Sequence, residues 1–220
     1  MTAVLRYALL KSWRDRSLVA FMVWPVLSAV GPWTAMTLQR HVGARMGPSP
    51  DEVVQISGMI GAMTGISLAS MFAFWTFRGE VATRAIGAFL FATRPLTVIA
   101  SLIVFGTLGG LASTLIAEGT LGVLIGGIPP IHLGSVVLRV VVSSFTGAAL
   151  GALAVTISSQ PTMMIGALWA TYGILTIPLI VKSESIERHV ATLPEYVYFV
   201  AVAIMATGLA AFLLERRCAT

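Results

Sequence analysis

The chain offers few residues that could carry out a reaction, and those it has are wrongly spaced for the familiar chemistries. Its two lysines, Lys11 and Lys182, each precede a serine, but neither follows the GxxxxG that a phosphate-cradling loop needs. His41, His132 and His189 are far apart, without an HExxH or a cysteine partner, so the spacing of a zinc site is missing. No GxSxG elbow occurs, and no span carries paired carboxylates of the kind used to move protons. Cys218 is the single cysteine and cannot form an internal disulfide. One ionisable residue, Arg139, lies close to the apolar stretches. It reads either as a functional intramembrane charge or as an arginine that snorkels or pairs with a neighbour such as Glu118. These residues argue against an enzyme and against a chain that binds ATP by itself.

The elements that hold them are membranous. Of 220 residues, 57% are hydrophobic and 10% charged, whereas an ordinary soluble domain is about 25% charged. The apolar residues gather into runs of about 20, enough to carry a helix across ~30 Å of hydrocarbon. Six spans follow: Leu18 to Leu38, Val53 to Phe77, Leu96 to Ala117, Val136 to Ile157, Thr162 to Val181 and Tyr196 to Leu214. The fold class expected is an all-α membrane protein, a single integral domain over 1–220. Gly126-Gly127 and Pro129-Pro130 break the third apolar run, so Gly119 to Leu133 reads as a shallow re-entrant or packed loop. Ala29-Val30-Gly31 is a passable cleavage site, but the run around it is long for a signal peptide, and a retained first span is preferred.

Residues 1–16 can form a short helix on which Leu5, Leu9 and Trp13 make one stripe, with Arg6, Lys11 and Arg14 to one side. Two readings fit it: a helix lying in the membrane interface, or simple juxtamembrane positive charge. Counting alternate sides of the spans, one side carries nine Lys and Arg with three acidic residues, and the other five with six. The positive-inside rule then puts both termini and the 78–95 loop in the cytoplasm, and leaves an outer loop at 182–195. The basic residues lie beside apolar runs, so the net charge of +5 reads as membrane orientation and gives no reason to expect a nucleic-acid partner. Gly61 and Gly65, Gly106 and Gly110, and Gly147 and Gly151 form GxxxG pairs, which suit tight bundle packing or a subunit interface. Aromatic and methionine side chains at Phe21, Trp24, Phe72, Met163, Met164 and Trp169, with Arg139, are candidates to line a path through the bundle, against ordinary packing.

The text at Phe77-Arg78-Gly79-Glu80 and Phe91-Ala92-Thr93-Arg94-Pro95-Leu96-Thr97, with Tyr7 through Ser17, resembles the permease subunit of an ATP-binding-cassette exporter of the type-two group. Ile177-Pro178-Leu179, and Leu193-Pro194-Glu195-Tyr196 beyond it, are similar to that family's outer loop between spans five and six. Arg94, between Thr93 and Pro95, departs from the commoner text. The resemblance implies six transmembrane helices, an N-terminal interfacial helix and a cytoplasmic coupling helix between spans two and three. It further implies that Arg78, Glu80, Arg84 and Arg94, with Arg6, Lys11 and Arg14 beside them, face a separate ATPase subunit. That subunit would hold ATP and Mg, this chain would bind no cofactor, and a second permease chain, the same or different, would complete the path. The positive-inside rule explains most of these arginines without a partner, though not Glu80. The composition of the spans suits an apolar or amphipathic cargo: a lipid, a glycan-lipid, a peptide or a drug-like compound. Such a chain would be integral to a cell membrane, the inner or plasma membrane of a bacterium. The competing expectation is an ATP-independent pore-forming or scaffolding membrane protein.

Overall fold

The computed structural model describes residues 2–14, 23, 25–27, 29–30, 33–34, 37, 50–83, 94–125, 130–160, 162, 166 and 193–219. Every element among them is a helix: α1 (Thr2–Arg14), α2 (Pro50–Ala82), α3 (Pro95–Ile125), α4 (Pro130–Ile157) and α5 (Leu193–Ala219). Among the described residues, three helices are long and apolar enough to cross a membrane, over Pro95–Leu124, Val137–Ile157 and Tyr196–Arg217. The chain is thus all-helical over these residues and compatible with membrane insertion. The fifth expected span falls almost wholly outside the described residues, and the first is described at nine of its 21 positions, all helical, with Ala29 and Trp33 packed against Ala117 and Leu121 of α3.

Proline marks where the helices start. Pro50, Pro95 and Pro130 each occupy the first position of a helix, where the missing N–H would have had no partner anyway and the fixed φ is already helical. At α3 the Arg94 carbonyl accepts from the Thr97 and Val98 amides, at 2.9 and 3.3 Å, and so closes the first turn. The helices are longer than their apolar cores. α2 continues five residues past Phe77, so Arg78 to Ala82 extend the rod that was expected to end in a loop. Likewise α3 runs to Ile125 and α4 begins at Pro130, so Gly119 to Ile125 and Pro130 to Leu133, expected in a re-entrant or packed loop, are helical. Apolar runs set a minimum length; a helix stops only where backbone groups lose their partners or a Gly or Pro intervenes.

α4 is the centre of the bundle. It packs on α2, α3 and α5, and 61% of its membrane-length window is buried against 22% for α5. Its contact with α2 is a backbone approach. A Cβ on Gly147 would lie 2.6 Å from the Ile66 Cα, and one on Gly151 would lie 2.7 Å from the Ser70 Cα, with the carbonyl oxygens nearer still. On α3, a Cβ at Gly106 would meet the Ala69 carbonyl at 2.8 Å and Ala148 at 2.9 Å, and one at Gly110 would meet Ala69 at 2.6 Å. The GxxxG pairs of α3 and α4 are therefore spent on packing within this chain.

Hydroxyls inside the helices are satisfied mostly by their own backbone, as a low-dielectric surrounding demands. Thr76, Ser101, Thr107, Thr114 and Thr146 each donate to the carbonyl four residues earlier, at 2.6 to 2.8 Å. Ser144 differs: among the described residues its buried hydroxyl has no partner, and it sits against Gly65 and Gly110.

The glycine seam sets up a direct comparison. Gly151→Ala should cost about 1–3 kcal/mol, because α2 and α4 must separate to admit the methyl. Gly208→Ala, where a Cβ meets nothing within 4 Å, should be neutral or stabilise by up to ~1 kcal/mol through helix propensity. Thermal unfolding of the detergent-solubilised chain reads both; equal melting of the two variants would remove the seam from the account.

Candidate functional site

The polar chemistry among the described residues gathers at one end of the bundle, where α1 crosses the last turns of α2. The helical spacing of Val4, Tyr7, Ala8 and Lys11 puts them on one face. Val4 and Ala8 are buried, in the same core cluster as Phe77, Val81, Val98 and Ile99. The Tyr7 ring meets Phe77 edge-on with centroids 6.1 Å apart, and its hydroxyl donates to Glu80. Lys11 Nζ lies 2.8 Å from both Glu80 carboxylate oxygens and 2.9 Å from the Thr76 carbonyl. An ammonium has three protons, and here it meets three acceptors.

That arrangement explains how Glu80 can be only 8% exposed. A carboxylate removed from water is costly unless it is paired and hydrogen-bonded. Lys11 and Tyr7 supply both, and the ammonium also stands near the C-terminal, partially negative end of α2. α2 has no basic residue in its own last turn, so the compensating cation comes from α1.

A pair of arginines fastens the end of α4. Arg78 on α2 donates from Nε to the Ser159 carbonyl at 2.7 Å, and its guanidinium lies 4.8 Å from the centre of the Trp75 ring. Arg217 on α5 donates to the Ile157 carbonyl at 2.6 Å. Ile157 ends α4, so its carbonyl is one of those a helix leaves without an internal partner. Arginines from the two flanking helices thus close the same terminus.

Of the residues expected to meet an ATPase, Lys11 and Glu80 are brought together and face each other. Arg78 is committed to the end of α4. Arg6, Arg14 and Arg94 are exposed, and Arg84 lies outside the described residues. Among the path candidates, Phe72 is 4% exposed, set edge-on to Phe105 and packed over Gly109; its ring fills the α2–α3 contact. Arg139 is half-buried on α4 and Glu118 buried on α3. Phe21, Trp24, Met163, Met164 and Trp169 lie outside the described residues. No group of His, Cys, Asp or Glu able to hold a metal occurs among the described residues. Sequence reasoning singled out the Leu5, Leu9 and Trp13 stripe for the membrane interface and did not identify the opposite face, through Val4, Ala8 and Lys11, as the one that packs on the bundle.

The pin can be measured by a double-mutant cycle. Lys11→Met leaves a buried carboxylate without its cation, a loss between the ~1 kcal/mol of surface pairs and the ~3–5 kcal/mol of buried ones, so about 2 kcal/mol is expected. Glu80→Gln should cost a similar amount, and Lys11→Met with Glu80→Gln together should cost clearly less than the sum. Strict additivity in thermal unfolding would mean that the two side chains do not act as a pair. No family model, curated protein or solved structure matches the chain.

Proposed function

We propose that the chain is the membrane-spanning permease subunit of an ATP-driven exporter of the ATP-binding-cassette type-two group, working with a separate ATPase and a second permease chain. In this reading it has six spans, those of 18–38 and 162–181 completing the bundle, and sits in a bacterial inner or plasma membrane with both termini cytoplasmic. The observation that carries the proposal is the pin of Tyr7 and Lys11 on Glu80. It joins an N-terminal helix to the end of α2 directly ahead of the 84–93 segment, where the text resembles the family's coupling element. A partner pressing on that segment meets a stiff corner made of α1, the end of α2 and the start of α3.

The mechanism follows from that stiffness. The ATPase binds ATP with Mg, and closure of its dimer moves the 78–95 region. The pin keeps α1 and α2 moving together, and the backbone contact at Gly147 and Gly151 passes the movement to α4. The push opens a path only if the ATPase binds one arrangement of the bundle better than the other. Exposed Arg94, and Arg84 beyond the end of α2, are the residues proposed to touch the ATPase. Glu80 acts one step behind them by holding α1. Phe21, Trp24, Met163, Met164 and Trp169 stay the candidates for contact with an apolar or amphipathic cargo, whereas Phe72 belongs to the packed core.

Gentle purification of the tagged chain from its native membrane, with mass spectrometry of what co-elutes, tests the reading. Recovery of a nucleotide-binding ATPase near one to one is expected. Arg94→Glu should lower that recovery about tenfold or more, through charge reversal at a contact, while leaving the melting temperature within a degree or so of the parent, since exposed substitutions change stability by about 0.5 kcal/mol or less. Reproducible recovery of the chain alone in several detergents would favour an ATP-independent pore or scaffold instead.

A further inference from the structure

Glu118 is a buried carboxylate that the coupling scheme leaves unused. It is 6% exposed on α3, inside the Pro95–Leu124 window that is long and apolar enough to cross a membrane. At 1.5 Å per residue it stands roughly 34 Å along the helix from Pro95, about the thickness of a hydrocarbon core. It therefore lies toward the end of the bundle opposite the Lys11–Glu80 pin. At 100° per residue, Gly110, Thr114, Ala117 and Leu121 fall within an arc of about 60°, and Glu118 about 40° beyond it. Ala117 and Leu121 form a buried cluster with Ala29, and Trp33 packs against that cluster. Glu118 thus belongs to the turn of α3 on which an indole from the first expected span rests.

The two buried glutamates are treated differently. Glu80 receives the Lys11 ammonium and the Tyr7 phenol, whereas Glu118 Oε1 takes no hydrogen bond among the described residues. Glu118 has other contacts; what stands ready is one acceptor atom. The threonines on either side of it along α3 have given their single proton to their own backbone, Thr114 to the Gly110 carbonyl and Thr120 to the Ile116 carbonyl, both at 2.7 Å. A carboxylate oxygen withdrawn from water is stabilised best by a cation that donates to it, and an indole face attracts the same charge. We propose that Glu118 and Trp33, with the apolar wall of Ala29, Ala117 and Leu121, form a binding site for the ammonium group of an amphipathic organic cation, whose alkyl body lies along the apolar helices. The site rests on the exporter reading only in that its ligand is then the cargo, held at the end of the path far from the ATPase.

The experiment uses the full chain in an uncharged maltoside detergent, with an N-alkylpyridinium as probe, because that ring is both a cation and a quencher of indole emission. Trp33 emission is isolated as the difference between the parent and Trp33→Phe. Saturable quenching of that emission is expected, reversed by a tetraalkylammonium that does not itself quench. Glu118→Gln should weaken binding about tenfold or more, through loss of one charge of the contact. Glu215→Gln, at an exposed position near the end of α5, removes the same charge elsewhere and should bind the probe as the parent does. Reversal by phosphatidylethanolamine too would support a lipid amine as the source of the ammonium, and reversal by tetraalkylammonium alone would support a soluble amphipath. Quenching of the parent that never saturates would overturn the proposal, whatever the variants do. So would a Glu118→Gln chain that keeps the parent's affinity but melts lower, with Arg139→Gln restoring the melting temperature, since Glu118 would then serve only to balance Arg139. The assay needs no ATPase: saturable binding by a chain that recovers no ATPase would sink the exporter reading and leave the site standing.

Discussion

Everything in this bundle hangs from the approach of α2 and α4 at Gly147 and Gly151, where a single methyl would strike the backbone of Ile66 or Ser70. Helices surrounded by lipid gain nothing by hiding apolar side chains from one another, because the lipid is equally apolar. They associate through dispersion, which falls off within a fraction of an ångström, and so through the closeness that small residues permit. The α3 contact uses the same device, with Gly106 and Gly110 against Ala69 and Ala148. Two pairs of glycines thereby fix three helices and decide where the far end of α2, with Arg78 and Glu80, comes to rest.

Charge is used differently, and elsewhere. Along the helices, hydroxyls return to their own carbonyls and link little across the bundle. At the ends of α2 and α4, charged groups do the linking: Lys11 to Glu80, Arg78 to Ser159 and Arg217 to Ile157. This division follows from solvation. A charge near a helix end keeps part of its hydration or can take an orphan carbonyl, whereas the same charge at mid-span needs a complete set of partners in a medium that offers none. Glu80 is the costly member, being nearly buried, and it is also the one that meets a full set of donors.

The layout of apolar runs was enough to read an all-helical chain with helices long and apolar enough to cross a membrane, and the GxxxG spacings were enough to read tight packing, since both signals are local and periodic. Helix ends were harder. The apolar text stops at Phe77, but backbone hydrogen bonding does not, and α2 reaches Ala82. Likewise Glu118 does not end α3, which is helical to Ile125. The site was legible residue by residue and not as a constellation. Lys11, Glu80 and Arg78 were singled out for an external partner, but which charges face each other depends on the crossing of α1 and α2, 69 residues apart in sequence for Lys11 and Glu80. No local pattern encodes that crossing. Arg217 passed as one more basic residue at the inner end of a span because its target, the Ile157 carbonyl, belongs to every helix end and leaves no mark in the sequence.

A buried ion pair of this kind adds little net stability, because the attraction of Lys11 and Glu80 is set against the desolvation of both. Its effect is on register. Among the described side chains of α1, Val4 and Ala8 are buried and Leu5 and Tyr7 pack partly buried against the same core, a small apolar contact that specifies register weakly by itself. A carboxylate that must receive both an ammonium and a phenol admits one arrangement, since any rotation of α1 leaves Glu80 buried without its donors. The pair therefore selects the one register of α1 in which both donors reach the carboxylate. Apolar packing by itself would not fix that register.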